Sequence, residues 1–218
     1  MTILSTKILT SAQKELLLGS GFGLVVYNAI AIKYIDFKTV DSFIENAIFT
    51  SKNAVKAILN SKLRIQNCFC VGSKTREFLL SHGYNVKATA ENALSLGQKI
   101  VQMYADQKFT FFCGDLRRNE LPDHLDSQAI IYDEVEVYRT ILQVKSFDRY
   151  FDCIMFFSPS GVQSYIKTNK VGPAIACCIG STTAAAAQQF FETVVIANKA
   201  TVENVIATTI KQLKVKNN

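Results

Sequence analysis

One strand-to-helix turn is written twice in this chain, and that duplication restricts the folds open to it. Phe49-Thr50-Ser51-Lys52-Asn53-Ala54-Val55 returns as Phe156-Phe157-Ser158-Pro159-Ser160-Gly161-Val162, and Val71-Gly72-Ser73-Lys74-Thr75 returns as Ile179-Gly180-Ser181-Thr182-Thr183. The offsets are 107 and 108 residues. Two matches at nearly one offset point to two similar domains whose equivalent turns can face each other across a cleft, with a ligand held between them.

The rest of the chain agrees with that division. Apolar runs of strand length alternate with segments of helical period, the pattern of α/β architecture built on parallel sheets. It predicts strands over 7–9 and 23–27, a helix over 13–18 closed by Gly19, and an extended segment over 29–36. Strands over 47–50, 67–71, 85–88 and 109–113 follow, with helices over 52–59, 74–80, 93–104 and 121–125 between and after them. A long extended run over 130–142 leads to strands over 153–157, 174–179 and 193–196 and helices over 161–168, 182–191 and 202–213. The last block has too few strands to stand alone, and the two strands before Ala29 complete it. We therefore expect two similar doubly wound parallel-sheet domains: residues 1–35 with 143–218, and an inserted 37–139. A two-stranded antiparallel β connector joins them, a hinge that suits relative motion.

At 218 residues, 49% hydrophobic and 19% charged, the chain has material for two domains of ordinary size. No window approaches the roughly 18 uninterrupted apolar residues of a membrane span. The start Met1-Thr2-Ile3-Leu4-Ser5-Thr6-Lys7 lacks the pattern of a secretory signal, so we expect a cytoplasmic protein. Cys68, Cys70, Cys153, Cys177 and Cys178 lie in apolar runs and read as small core residues. With only His82 and His124 elsewhere, the cysteine spacings form no zinc pattern, and no metal is expected. The net charge of +6 comes from dispersed Lys and Arg. No recognition motif accompanies them, so a solvated basic surface is favoured over nucleic-acid binding, and a small polyanionic substrate fits the charge equally well.

In an open parallel sheet, ligands bind beyond the carboxyl ends of the strands, where helix N-termini present unpaired N–H groups. Thr50 and Ser51, Gly72, Ser73 and Thr75, Ser158, Pro159 and Ser160, and Gly180, Thr182 and Thr183 all fall at such junctions. Any one of these hydroxyls reads most simply as a helix cap. Four junctions arranged as a duplicate pair tip the set as a whole toward binding an anion such as a carboxylate. Phosphate-loop and dinucleotide patterns are absent, as is Gly-x-Ser-x-Gly, so neither a nucleotide cofactor nor a covalent hydrolase is indicated.

Cys113-Gly114-Asp115-Leu116-Arg117-Arg118-Asn119-Glu120-Leu121-Pro122 is the densest polar turn. Its arginines suit bidentate contacts with substrate carboxylates, and the turn reads equally well as a surface lead-in to a helix. Cys113, at a strand end, has no neighbouring base in sequence. Tyr138 sits in the return connector and points either into core packing or into the cleft.

On these motifs the chain resembles the uroporphyrinogen-III synthase family. The likeness runs from the Ile48-Phe49-Thr50-Ser51 turn to the C-terminal helix and includes Phe49-Thr50-Ser51-x-x-Ala54-Val55, Cys113-Gly114-Asp115-Leu116-Arg117-Arg118 and Val137-Tyr138-Arg139-Thr140. Phe156-Phe157-Ser158-Pro159-Ser160-Gly161 and Ile179-Gly180-Ser181-Thr182-Thr183-Ala184 complete it. The resemblance implies two α/β domains joined by a β-ladder, no cofactor, and the cyclisation of the linear tetrapyrrole hydroxymethylbilane, a polycarboxylate, with loss of water and inversion of ring D. It implies that Tyr138 assists departure of the hydroxyl and that Ser51, Thr75, Ser158 and Thr183 face the cleft; together with Thr50, Gly72, Ser73, Cys113, Gly114, Arg117, Pro159, Ser160, Gly180 and Thr182 from the junctions and the polar turn, we expect these to form the substrate surface of a monomer. The competing expectation is a non-catalytic two-lobed binding protein for a small polyanion, which has no need of Tyr138 or of the 113–118 turn. A receiver-like signalling protein needs clustered acids at a strand end, and Asp115 alone does not supply them.

Overall fold

The computed structural model describes residues 1–39 and 41–217. Their contacts divide them into two compact units, Met1–Ala31 with Ile141–Asn218, and Ile32–Thr140.

The first unit holds β1 (Thr2–Ser5), α1 (Ser11–Leu18), β2 (Gly23–Val26), β9 (Cys153–Phe156), α6 (Pro159–Ile166), β10 (Ile175–Cys178), α7 (Ser181–Ala187), β11 (Thr193–Ile196) and α8 (Val202–Asn217). Its sheet runs β11-β10-β9-β1-β2, and all of its pairings are parallel. The central strands are short and buried on both faces. Leu4, Ile154, Phe156, Ala176 and Cys178 pack on one side, and Ile3, Cys153, Met155, Ile175 and Cys177 on the other. Strands covered on both faces read as continuous apolar runs, which is how Cys153-Ile154-Met155-Phe156 is written.

The first strand lies at Thr2–Ser5, not over 7–9. Ile3 and Leu4 are fully buried between β2 and β9, each on its own face of the sheet, while Ile8 is about half exposed. The Lys7-Ile8-Leu9 segment instead leads into α1. That helix starts at Thr10, whose side chain accepts from the Gln13 N–H while the Gln13 side chain accepts from the Thr10 N–H.

The second unit holds β4 (Phe43–Phe49), α2 (Lys52–Ile58), β5 (Arg64–Val71), α3 (Ser73–Ser81), β6 (Val86–Ala90), α4 (Ala93–Tyr104), β7 (Phe109–Gly114) and α5 (Glu120–Ser127), with most of β3 (Ile30–Tyr34) and β8 (Tyr132–Leu142), whose outer ends fall in the first unit. Its sheet has six strands in the order β3-β8-β7-β4-β5-β6, because the first extended segment joins it beside β8. Counted from β4, its last five strands follow the order fifth, fourth, first, second, third. Counted from β9, the other sheet follows the order third, second, first, fourth, fifth, with β1 and β2 as fourth and fifth, which is the same order read from the opposite edge. The duplicated turns therefore occupy equivalent places, after the first and second strands of each sheet.

Two devices hold this second sheet in register. Near the ends of β4 and β7, Phe49 and Phe112 stack with ring centroids 5.4 Å apart, both fully buried; truncating such a ring costs about 3–5 kcal/mol. Farther back along the strands, a ladder of amides runs through Asn46 of β4 and Asn67 of β5 to the residues just before β6 and β7. Asn85 Nδ2 donates to Asn67 Oδ1, Asn67 Nδ2 to Asn46 Oδ1, and Asn46 Nδ2 to the Lys108 carbonyl, each at 3.1 Å.

Candidate functional site

In the second unit the strand order reverses at β4, with β5 and β6 on one side and β7 and β8 on the other. Crevices at such a switch point are where open α/β sheets bind ligands. The carboxyl ends of β4 and β7 carry Thr50-Ser51 and Gly114-Asp115. A cavity of about 380 Å³ opens there, lined by Thr50, Ser51, Gly114, Arg117 and Tyr138 among the expected residues. Arg118, Glu91, Asn92 and Leu116 line it as well. Hollows of about 450 and 540 Å³ exist in the same unit. The first borders the starting ends of β4, β7 and β8, and the second the loops around β3 and the α2 exit, so neither meets the convergent helix N-termini.

Ser51 is where the local fold and the site meet. Its backbone is extended and its side chain accepts from the Asn53 N–H at 3.1 Å, which starts α2. The same hydroxyl stands beside the phenol of Tyr138. Burial pushes Tyr138 above the ordinary phenol value, and the Ser51 hydrogen bond pulls the other way. At neutral pH the phenol therefore keeps its proton and is a donor, the state a weak acid needs.

Gly114 makes that placement possible. A Cβ built on residue 114 would overlap Cε2 and Cζ of Tyr138 and come within 2.8 Å of the phenol oxygen. Tyr138 also packs against the cluster of Phe49, Phe112 and Val137, so both faces of its position are determined.

The neighbouring polar turn is already knit together. Arg117 Nε donates to Glu134 Oε1 at 2.6 Å, and Arg117 Nη1 to Asn119 Oδ1 at 2.6 Å. The guanidinium is thereby held at the cavity edge. Cys113 reaches the same carboxylate oxygen: its side chain is buried, with Sγ 3.5 Å from Glu134 Oε1 and 3.8 Å from the Val135 carbonyl. Burial and the adjacent Glu134 carboxylate push its thiol up to about 12, so it is not a nucleophile at neutral pH.

At the next junction along, Gly72 precedes α3 with φ +83°, a conformation glycine adopts without penalty, and a Cβ there would meet nothing within 4 Å. No side chain caps this helix. Ser73 is exposed, and Thr75 is buried in the first turn. The equivalent junction in the first unit is built alike except that its glycine is extended, with φ −170°. Gly180 precedes α7 without a side-chain cap and with open space around it, and Thr183 is buried two residues into that helix. Thr182 is exposed.

Ser158 caps α6 by accepting from the Gly161 N–H at 3.1 Å, with Pro159 at the first helical position and Ser160 following. Beside them is Thr6, just past the end of β1, whose hydroxyl donates to the Met155 carbonyl at 2.8 Å. A Cβ at Gly161 would lie 3.5 Å from that hydroxyl.

Sequence reasoning passes over Glu91, Asn92, Leu116 and Thr6. Asn92 accepts from the Ser95 N–H at 2.9 Å and caps α4, so the signal that marks Ser51 is present there too. It escapes because the duplicated motif does not include that junction. Among the described residues no helix is long and apolar enough to cross a membrane, and no group of three or more His, Cys, Asp or Glu side chains is placed to hold a metal ion.

Comparison with known proteins gives a concordant result. A family model described as uroporphyrinogen-III synthase HemD matches residues 11–207. No curated protein matches. Among solved structures, the uroporphyrinogen-III synthetase of Helicobacter pylori superposes with a TM-score of 0.75 at 18% identity, covering 97% of this chain and 99% of that one. A mutant uroporphyrinogen III synthase of Thermus thermophilus superposes with a TM-score of 0.65 at 10% identity, covering 99% of both chains. At these identities the superpositions establish a shared fold.

Proposed function

Because the chain belongs to the uroporphyrinogen-III synthase family, we propose that Tyr138 and the turns around it carry out its cyclising dehydration of hydroxymethylbilane. The enzyme is a hydro-lyase of tetrapyrrole (haem) biosynthesis, and its product is uroporphyrinogen III. The observation that supports this site best is the phenol of Tyr138, kept protonated by burial, beside Ser51 in the cavity at the β4–β7 switch point.

The reaction needs little apparatus. As the carbon–oxygen bond of the hydroxymethyl group breaks, the Tyr138 hydroxyl donates toward the departing oxygen, which leaves as water. Ring D attacks the methylene so freed through its substituted α-carbon, giving a spiro intermediate; its bond to the neighbouring methylene breaks and re-forms at the free α-carbon, and the proton lost there balances the one carried off in the water. Because the bilane also cyclises unaided to the type I isomer, the protein's larger task is to hold it in the fold that leads to type III, and acid catalysis contributes less.

Carboxylates of the substrate supply the handles for that fold. First-turn N–H groups behind Gly72 and Gly180, the hydroxyls of Thr50, Ser51, Ser73, Thr75, Ser158, Ser160, Thr182 and Thr183, and the Arg117 guanidinium are suitable donors. Gly114, Pro159 and Cys113 shape the turns that present them.

The domain organisation belongs to the same proposal: two doubly wound domains, residues 1–35 with 143–218 and residues 37–139, joined by an antiparallel two-stranded connector. Ile35 N–H donates to the Val137 carbonyl at 3.2 Å and Gln143 N–H to the Ala29 carbonyl at 2.8 Å. Partners that advance on one strand while retreating on the other are the mark of antiparallel pairing. We place the enzyme in the cytoplasm as a monomer acting without nucleic acid, consistent with its dispersed positive charge.

The test is direct. Protein added to freshly generated hydroxymethylbilane should yield type III uroporphyrinogen, and accumulation of type I alone would defeat the assignment. A Tyr138→Phe variant with undiminished rate would remove Tyr138 from the mechanism.

A further inference from the structure

We propose that Asp115 is the positioning residue for Tyr138, its carboxylate standing in for a strand that has run out. The proposal rests on the assignment of Tyr138 as the acid. β7 ends at Gly114, whereas β8 continues to Leu142. From Phe109 opposite Tyr132 to Cys113 opposite Glu136 the two strands pair one residue to one. The register then jumps so that Gly114 lies opposite Tyr138, leaving Val137 as an extra residue in β8. A bulge of this kind re-aims the side chain that follows it and locally disrupts the ladder.

Asp115 repairs the ladder on the far side of the bulge. Its N–H donates to the Tyr138 carbonyl at 3.2 Å, and its Oδ1 accepts from the Thr140 N–H at 2.9 Å. One residue thus holds both Tyr138 and the residue two beyond it. Without the carboxylate, the Thr140 N–H would face the place where β7 has already turned away. A charged acceptor makes this bond stronger than the neutral carbonyl it replaces.

Gly114 and Leu116 line the cavity, and Asp115 between them does not. The nearby Arg139 does not draw the carboxylate away, because its Nε donates to Glu136 Oε1 at 2.6 Å. Asp115 therefore bonds the backbone of the strand that carries the phenol.

The experiment compares Asp115→Ala, Asp115→Asn, Tyr138→Phe and the D115A/Y138F double variant in the full-length enzyme, reading kcat, KM and the exchange rate of the Thr140 amide. We expect D115A to lower kcat about tenfold with KM within about twofold, the scale of a slightly misplaced catalytic group. Thr140 amide exchange should quicken by about tenfold in the same variant. D115N keeps an oxygen acceptor and should restore most of the rate, which a purely electrostatic role would not permit. When Y138F is already in place, adding D115A should change kcat by less than about twofold, since the group it positions is gone.

Wild-type kcat in D115A beside an impaired Y138F would overturn the Asp115 proposal alone, as would fully multiplicative losses in the double variant. A fully active Y138F would overturn the assignment of Tyr138 and this proposal with it. Where D115A fails to fold, Asp115→Glu, which moves the acceptor by one methylene, takes its place with the same expected loss of kcat.

Discussion

The ring of Tyr138 rests directly against the α-carbon of Gly114, in space that any side chain at position 114 would occupy. Two residues far apart in sequence thus form one unit, joined by the β7–β8 pairing.

Gly114→Ala is therefore a probe of the site more than of the fold. The methyl group must displace the Tyr138 ring, since the obstacle is an aromatic side chain and not backbone. Type III formation should fall by at least about tenfold, while the thermal midpoint drops by only a few degrees. A steady-state assay beside a melting curve checks both.

The two capping serines should separate. Ser51→Ala and Ser158→Ala each remove a helix cap, at 3.1 Å from Asn53 N and Gly161 N respectively, and each should cost about 0.5–2 kcal/mol in urea unfolding. Only Ser51 also stands beside Tyr138. S51A should lower kcat, whereas S158A should act chiefly on KM through weaker carboxylate binding. Equal kinetic profiles for the two variants would contradict this division.

Asn46→Ala should damage stability without touching chemistry. It removes the middle of the amide ladder and leaves the Lys108 carbonyl and the Asn67 amide without their partner. A loss of about 1–3 kcal/mol is expected, with kcat/KM of the surviving folded enzyme unchanged, since the ladder lies farther back along the strands than the cavity.

Buried thiols contribute to the loss of stability at alkaline pH. Desolvation raises Cys68, Cys113 and Cys178 from an unfolded value near 9.0 to about 12. Their protonated state is shared by folded and unfolded protein below about pH 9. Above it the unfolded chain loses these protons first, so stability falls as pH rises toward about 12. Cys177 moves the other way through its hydrogen bond with Cys153, whose sulfur lies 3.4 Å away. Urea midpoints should be flat with respect to these three groups from about pH 7 to 8 and decline from about pH 9 to 10.5. Cys113→Ala should flatten part of that decline.

What is legible in the sequence is mostly local. Helix α4 falls over Ala93–Tyr104 and strand β11 over Thr193–Ile196, as their periodicity and flanking polar residues imply. The caps at Ser51 and Ser158 form where a hydroxyl residue follows an apolar strand. The first strand escapes sequence reasoning because Thr2-Ile3-Leu4-Ser5 is too short to show a period, and its burial depends on β2 and β9 lying to either side. The close contact of Tyr138 with Gly114 requires a bulge, and no residue type announces one. Arg117 reads in sequence as a partner for substrate, yet the carboxylate it bonds is Glu134. That pairing exists only because β8 lies alongside β7, so it is invisible to any window along the chain.

The hydrogen bond from Gln143 N–H to the Ala29 carbonyl brings the chain's departure and return points together at 2.8 Å. Everything between them is thus a cassette whose ends are already spliced in space. Joining Ala31 directly to Ile141 should yield a shortened protein that keeps the five-stranded sheet, melts cooperatively by circular dichroism and makes no type III product. The excised middle, closed on itself by a short flexible link, should retain the Tyr138 cavity and equally lack activity. Mixing the two pieces would then measure how much of the enzyme's selectivity depends on their covalent connection.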